Sequence, residues 1–391
     1  VVDAGRGRLE ATAEGAAERV RGDAAAELAA SVAMANVGFY VAGIGVVLVV
    51  LADDLGVPAE RLSWLGSAFG YGLFVVALAG PLLLSRLGQR GVLIAAAAVL
   101  GAGSLLLAVV PGEATAYAGA LLQGLGAAGI VLVAPRLLHG PDAAVKLTRV
   151  NAVGSIVSIS APVLLGVAAT AGIGARLPLL LVTASMVVLV VLARRLPAHA
   201  TVVADPAQPV PVLSRPLVVR RWLALVCSVS VEFAFVVWGV ARLTGAGLEP
   251  GWAAVVAAMF QVGMALGRVV GPRLMARIPV VLVGSLVAGV GTLLVVIGEA
   301  WPLIGLGQLL AGFGIATLYP VTLARLMASP GLRPELGASF GAMGSATAIT
   351  LMPTLLAALA LVVDLRLAFL VPLPVLALLL WLHHERPATG A

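Results

Sequence analysis

Charge is scarce in this chain. Of 391 residues only 11% are Asp, Glu, Lys or Arg, against about 25% in a soluble domain. A water-facing surface cannot be built from so little. Cysteine occurs once, at Cys227 inside an apolar run, which excludes a disulfide framework, a cysteine-based zinc site and chemistry between thiol pairs. The four histidines, His139, His199, His383 and His384, fall at expected helix ends or in links, without metal-ligand spacing. No Gly-rich phosphate loop, catalytic triad or carboxylate pair is legible, so ATP hydrolysis and enzyme chemistry are not expected, nor is a cofactor or a metal. Lysine occurs once, at Lys146, and all other Lys/Arg positions are arginine. That bias reflects a GC-rich, bacterial codon usage rather than chemistry.

What fills the chain instead is apolar material, 61% of all residues. It falls into runs of about 20 residues, each long enough to cross a hydrocarbon core of about 30 Å. Hydropathy places twelve spans near 29–51, 62–84, 91–110, 115–138, 152–173, 177–194, 221–243, 252–270, 279–298, 302–325, 338–361 and 367–383. Residues 1–27 carry no apolar run, and Glu10, Glu14 and Glu18 stand four apart, so a solvated or interfacial helical tail is expected there rather than a secretory leader. The segment between spans six and seven holds Pro197, Pro206, Pro209, Pro211 and Pro216 and reads as a tether. The expected organisation is a polar tail over 1–27, a six-helix bundle over 28–194, a Pro-rich linker over 195–220, a second bundle over 221–383 and a tail over 384–391.

The net charge of +6 does not form one patch, so nucleic acid is not an expected partner. Basic residues flank the spans and serve as topology signals. Of the 24 Lys and Arg, only Arg61, Arg176, Arg242 and Arg366 fall on the face opposite the termini. Both termini are therefore expected in the cytoplasm, with the chain in a bacterial inner membrane. Arg136 and Arg325 end spans 4 and 10, where they would reach toward headgroups.

The two halves repeat one another. Gly72, Gly80, Pro81 and Arg86 return as Gly263, Gly271, Pro272 and Arg277, each shifted by 191. Ala152-Val153-Gly154-Ser155 returns as Ala342-Met343-Gly344-Ser345, and Gly124-Leu125-Gly126 as Gly312-Phe313-Gly314. A shift of about half the chain means two parallel six-span units, and small residues at those places allow close helix approach. Pro135, Pro162, Pro320 and Pro353 are expected to bend or break their helices.

With twelve spans, parallel halves, a proline-rich centre and the basic link Gly80-Pro81-Leu82-Leu83-Leu84-Ser85-Arg86-Leu87-Gly88-Gln89-Arg90, the chain resembles the major facilitator superfamily from Ala29 to His383. Gly80, Arg86, Gly88 and Arg90 match the family's motif in this link, whereas Ser85 takes the place of its acid and Gln89 of its first late basic residue. Gln123-Gly124-Leu125-Gly126 keeps part of the span 4 pattern, with Ala120 where the arginine associated with proton coupling stands. Ala161-Pro162-Val163-Leu164-Leu165-Gly166 keeps one of three glycines of the antiporter pattern. Glu232 with Trp238, and Gly312 with Pro320, also look like sugar-type permeases of the fucose-permease kind. The resemblance implies an all-α membrane protein of twelve helices in two pseudo-symmetric bundles, moving a small solute by alternating access. It implies a gate from Gly80, Pro81, Arg86, Gly88, Arg90, Gly271, Pro272 and Arg277, with Arg273 beside them, and a monomer with the lipid bilayer, a solute and protons as partners.

One residue stands out chemically. Ten residues beyond Trp222, at 1.5 Å each, put Glu232 about 15 Å deep, where an ionisable group costs about 2.5–3.5 kcal/mol and usually faces a cavity or partner. It is the candidate for proton coupling. The alternative is a protonated carboxyl bonded to a backbone carbonyl or to Ser228. In the family, spans 1, 4, 7 and 10 line the cavity, which makes Asn36, Tyr40, Gln123, Trp238, Gln308 and Tyr319 the substrate-binding candidates; for each the alternative is an interhelical hydrogen bond, worth about 0.6 kcal/mol. Gln261 fits that alternative better, and Arg268, one turn inside the second basic link, could make a gate contact. One acid and no central arginine on the cavity spans argue for a neutral or weakly polar solute. Sugar-type uptake and drug or metabolite efflux against protons remain open, as do the other classes, a channel or a non-transporting membrane protein.

Overall fold

The computed structural model describes residues 2–110, 112–138, 143–196, 213–275 and 277–384. Most of the Pro-rich linker, the end of the second tail, His139 and His199 lie outside the described residues. The side chains of residues 1–21 and of Pro272 lie outside them too. Among the described residues the chain is helical throughout, with no strand.

The first half runs through α1 (Val2–Leu55), α2 (Trp64–Val109), α3 (Glu113–Leu137), α4 (Ala143–Thr170) and α5 (Leu179–Arg194). The second runs through α6 (Arg215–Thr244), α7 (Pro250–Met275), α8 (Val280–Ile297), α9 (Trp301–Ile315), α10 (Leu318–Met327), α11 (Pro334–Ala360), α12 (Leu365–Ala368) and α13 (Pro372–His383). Ten stretches are long and apolar enough to cross a membrane. One of them, Ala59–Val109, is 51 residues long and holds spans 2 and 3. It breaks only at Gly88, whose φ of 65° and ψ of 173° suit glycine and little else. The 16-residue α5 adds span 6, so the crossings number twelve. With an even number, both termini lie on one face, here the terminal face; the other is the distal face. The polar tail from Val2 continues into span 1 as one helix.

The four prolines expected to bend or break their helices do not all part them. Pro135, Pro162 and Pro353 sit within continuous helices. Of the spans holding these four prolines only span 10 parts, between α9 and α10 at Ala316 and Thr317. Ala316 is four residues before Pro320, where the ring clashes with a helical carbonyl and offers it no donor. Span 12 parts likewise after Ala368, four residues before Pro372.

The repeat is visible in the packing. A Cβ on Gly72 would lie within 3.0 Å of Leu121 O and Leu125 N, and one on Gly263 within 3.0 Å of Leu309 O and Phe313 N. Gly124 presses on Phe69 O as Gly312 does on Phe260 O. The same atoms recur at shifts of 188 to 191, so each bundle is held by the same backbone-to-backbone approaches, which only glycine permits. The bundles meet through α1 on α6, α2 on α11 and α4 on α7. At the first of these, Gly45 packs on Val236, its own counterpart 191 residues on, as expected next to a twofold axis.

Leucine and valine side chains of α5 and α8, among them Leu181, Val187 and Leu286, point outward, as lipid requires. Trp64, Trp252 and Trp301 are half-exposed at the distal ends of spans 2, 8 and 10, and Trp381 at the terminal end of span 12, the levels at which indole rings favour the headgroup boundary.

Candidate functional site

The seam between bundles is closed at the distal face. Gly45 lies on Val236 and Val237, Gly66 on Pro353, Gly70 on Thr350, and Gly166 on Gly251. Ser67 Oγ donates to Thr350 O at 2.9 Å and shares a hydrogen bond with the Thr354 hydroxyl. Trp238, fully buried, donates its indole N–H to Pro353 O at 3.1 Å. At the terminal face the picture differs. Among the described residues α3 and α4 have no packed interface with α10 or α11. Arg86, Arg273 and Arg277 are exposed, and Arg90 reaches Leu196 O at 3.4 Å within its own half. Among the described residues Arg86, Arg90, Arg273 and Arg277 therefore do not join the halves in this state.

Glu232 lies on α6, which α1, α7, α10, α11 and α13 surround. Every residue from Cys227 to Leu243 is buried except Glu232, which stays partly accessible. Its neighbours one turn away on either side, Ser228, Val229, Phe235 and Val236, are all buried. The charge acting on its carboxyl is the Arg268 guanidinium. Helix direction explains how they meet. Side chains tilt toward the N-terminal end of their helix, so Glu232 leans toward the terminal face on the outbound α6 and Arg268 toward the distal face on the returning α7. Arg268 Nη1 also donates to Ser155 Oγ of α4 at 2.8 Å, bridging the bundles. Tyr319 of α10 lies near Ser345 of α11 and within the field of Glu232, and the Ser345 hydroxyl is buried without a hydrogen-bond partner among the described residues. Ser155 and Ser345 are counterparts in the repeat, so one cluster draws on matching serines from both halves. Ser228 does not serve Glu232: its hydroxyl donates to Leu225 O at 2.8 Å and lies 3.1 Å from Thr322 Oγ1.

The remaining candidates are placed otherwise. Asn36 Nδ2 donates to Val32 O at 2.7 Å and to Ser185 Oγ of α5 at 2.8 Å. Gln123, fully buried, bonds Ser104 of span 3. Gln308, also fully buried, donates to Gly239 O at 2.9 Å. With Trp238 these side chains join helices to one another. Tyr40 is buried against Phe69, ring centroids 5.3 Å apart, and its hydroxyl has no partner among the described residues. The structure thus gathers Glu232 and Tyr319 with Arg268, Ser155 and Ser345, and leaves Asn36, Gln123, Trp238 and Gln308 in the packing. A seam without arginine was expected because only spans 1, 4, 7 and 10 were counted. Arg268 enters from span 8, on a side chain long enough to cross the seam. Its signal was an arginine one turn deeper than the basic link. Ser155 and Ser345 were legible as an echo, but one that read as packing.

Among the described residues no group of three or more His, Cys, Asp or Glu could hold a metal ion. Comparison with the curated proteins matches none of them. Solved structures match in fold. The nucleoside transporter NupG, in a mutant form, superposes with a TM-score of 0.72 at 13% identity, covering 92% of this chain and 100% of that one. A bacterial homologue of the human lysosomal transporter Spinster, in an inward-facing and unoccupied conformation, gives 0.67 at 13% identity, over 92% of this chain and 95% of that one. The Major Facilitator Superfamily profile matches residues 28–324. With twelve crossings in two related bundles, the chain is a multi-pass membrane transporter that belongs to the Major Facilitator Superfamily.

Proposed function

We propose that the protein is a secondary active transporter that moves a small, polar but uncharged solute by alternating access, coupled to protons through Glu232. The observation that carries this is the Glu232 carboxyl, the one accessible position in the buried run from Cys227 to Leu243. It faces Arg268, whose guanidinium spans the seam to Ser155. One carboxyl and one guanidinium acting on each other across the seam balance in charge, which disfavours an ionic solute. The hydroxyls of Tyr319, Ser155 and Ser345 are groups that bind sugars or nucleosides by hydrogen bonds. That NupG is a nucleoside transporter agrees with this solute class.

The bundles rock about the seam. In the state described the distal face is shut and the solute exchanges through the terminal face. Arg86, Arg90, Arg273 and Arg277 engage when that face closes. The basic residues orient the chain with its termini in the cytoplasm of a bacterium, and the transporter works as a monomer. Proteoliposomes test the coupling. Glu232→Gln should abolish accumulation driven by a proton gradient and preserve counterflow exchange of the same solute. Unchanged accumulation in that variant removes Glu232 from the mechanism, and the direction of proton-linked flux separates uptake from efflux.

A further inference from the structure

The four arginines at the distal face all clamp helix ends. Arg61 pairs with Glu113 at 2.9 Å. Arg176 donates to Leu107 O at 2.9 Å, at the end of span 3, and pairs with Asp54 of span 1 at 2.9 Å. Its counterpart 190 residues on, Arg366, donates to Val296 O and Ile297 O at the end of span 9. The repeat is in strict register here. Val57 N bonds Ala52 O as Leu248 N bonds Leu243 O, and Gly56 and Gly247, with φ of 64° and 87°, close the two helices alike. A shift of 191 therefore sets Gly245 in the place of Asp54. The second half lacks the carboxylate that neutralises the first half's arginine.

The second half's other distal arginine lies beside this position. Arg242, a turn before Gly245, is only 4% exposed. Its Nε donates to Val295 O at 3.2 Å and its Nη2 to Gly298 O at 2.5 Å. Where the first half pairs Arg176 with Asp54, the second sets two arginines and two acids around a cavity of about 330 Å³ lined by Arg242, Gly245, Gly298, Glu299, Asp364 and Arg366. The two acids sit differently from Asp54. Asp364 accepts from the N–H of Arg366 at 2.7 Å and so caps α12. Glu299 is 85% exposed and 3.8 Å from Arg366 Nη1.

We propose that this distal cavity is an anion-binding site, separate from the seam, in which a carboxylate or phosphate group takes the place that Asp54 fills in the other half. Bidentate guanidinium donors suit either group. The bound anion fastens the ends of spans 7 and 9 and the link before span 12, as the intramolecular pair does for spans 1 and 3. The source is a free solute or a lipid headgroup.

The test uses the full chain in nanodiscs of an uncharged, phosphate-free galactolipid. Titration with inorganic phosphate and with succinate, at constant ionic strength, should raise the thermal midpoint by a few degrees at concentrations well above Kd. Arg242→Gln should lose that rise. Gly245 has helical backbone (φ −62°) and a Cβ there meets nothing nearer than Ala241 O at 3.3 Å. Gly245→Asp should therefore fold, show a raised midpoint without ligand and no longer respond to either anion. In nanodiscs containing phosphatidylglycerol, a phosphate response that disappears identifies the headgroup as occupant, and one that persists identifies a free anion. No midpoint rise in the wild type with phosphate, succinate or phosphatidylglycerol overturns the proposal, as does an undiminished response in Gly245→Asp.

Discussion

The two halves agree in how they are packed and disagree in what they carry. Gly72 and Gly263, or Gly124 and Gly312, meet corresponding backbone atoms in each bundle. Glu232 and Arg268, by contrast, have Val41 and Ala77 as counterparts. Close backbone approach depends on geometry and has to be reproduced for each bundle to hold. On the proposed reading a proton site in the seam is needed once, and a second acid at that depth would cost about 2.5–3.5 kcal/mol. Symmetry therefore survives where it stabilises and lapses where chemistry happens.

The largest test of this comparison joins the halves covalently. With Cys227 replaced by serine, the pair Ser67→Cys and Thr354→Cys places thiols where two hydroxyls now share a hydrogen bond. Oxidation should abolish solute flux in proteoliposomes, and reduction should restore it. Flux through the oxidised protein would mean that the bundles do not part at the distal face. Next comes the contrast in chemistry: Val41→Thr, at the counterpart of Glu232, should keep gradient-driven accumulation where Glu232→Gln loses it. A matching loss from Val41→Thr would make the asymmetry illusory.

Packing predicts the opposite pattern. Gly124→Ala and Gly312→Ala should each destabilise by about 1–3 kcal/mol and by similar amounts, read from thermal or denaturant unfolding. A cost in one half alone would break the equivalence. The smallest effect is expected at the distal clamp of the first half. Asp54→Asn leaves Arg176 without its carboxylate, but the Asp54 side chain is 42% exposed, so solvent screening limits the loss to about 1 kcal/mol. That loss should shrink as salt is raised.

Much of the fold could be read from residues before any coordinates. Glycines repeated at a fixed shift and spans of membrane length are signals that geometry writes directly into a chain. Glu232 was legible for the same kind of reason, since a carboxyl at that depth demands an explanation. The other members of the site were not. Asn36, Gln123 and Gln308 share the right helices, but which way a polar side chain turns depends on whether a neighbour such as Ser185, Ser104 or Gly239 O stands within reach. No spacing reveals that. Arg268 read as a gate residue because it lies one turn from the basic link, whereas its guanidinium reaches Ser155 of the other bundle. Proline misled for a related reason. Whether it parts a helix is not written in the proline itself: span 10 parts ahead of Pro320, while α11 runs on through Pro353.

The break at Gly88 has a mechanical meaning. Spans 2 and 3 turn about a single left-handed residue, so the joint holds no spare chain to absorb a displacement. When span 2 swings away from span 11, the far end of span 3 must follow as a lever follows its fulcrum. The first bundle thus behaves as the stiff arm of the machine, and amide exchange across residues 80–95 should stay slow in both states of the cycle.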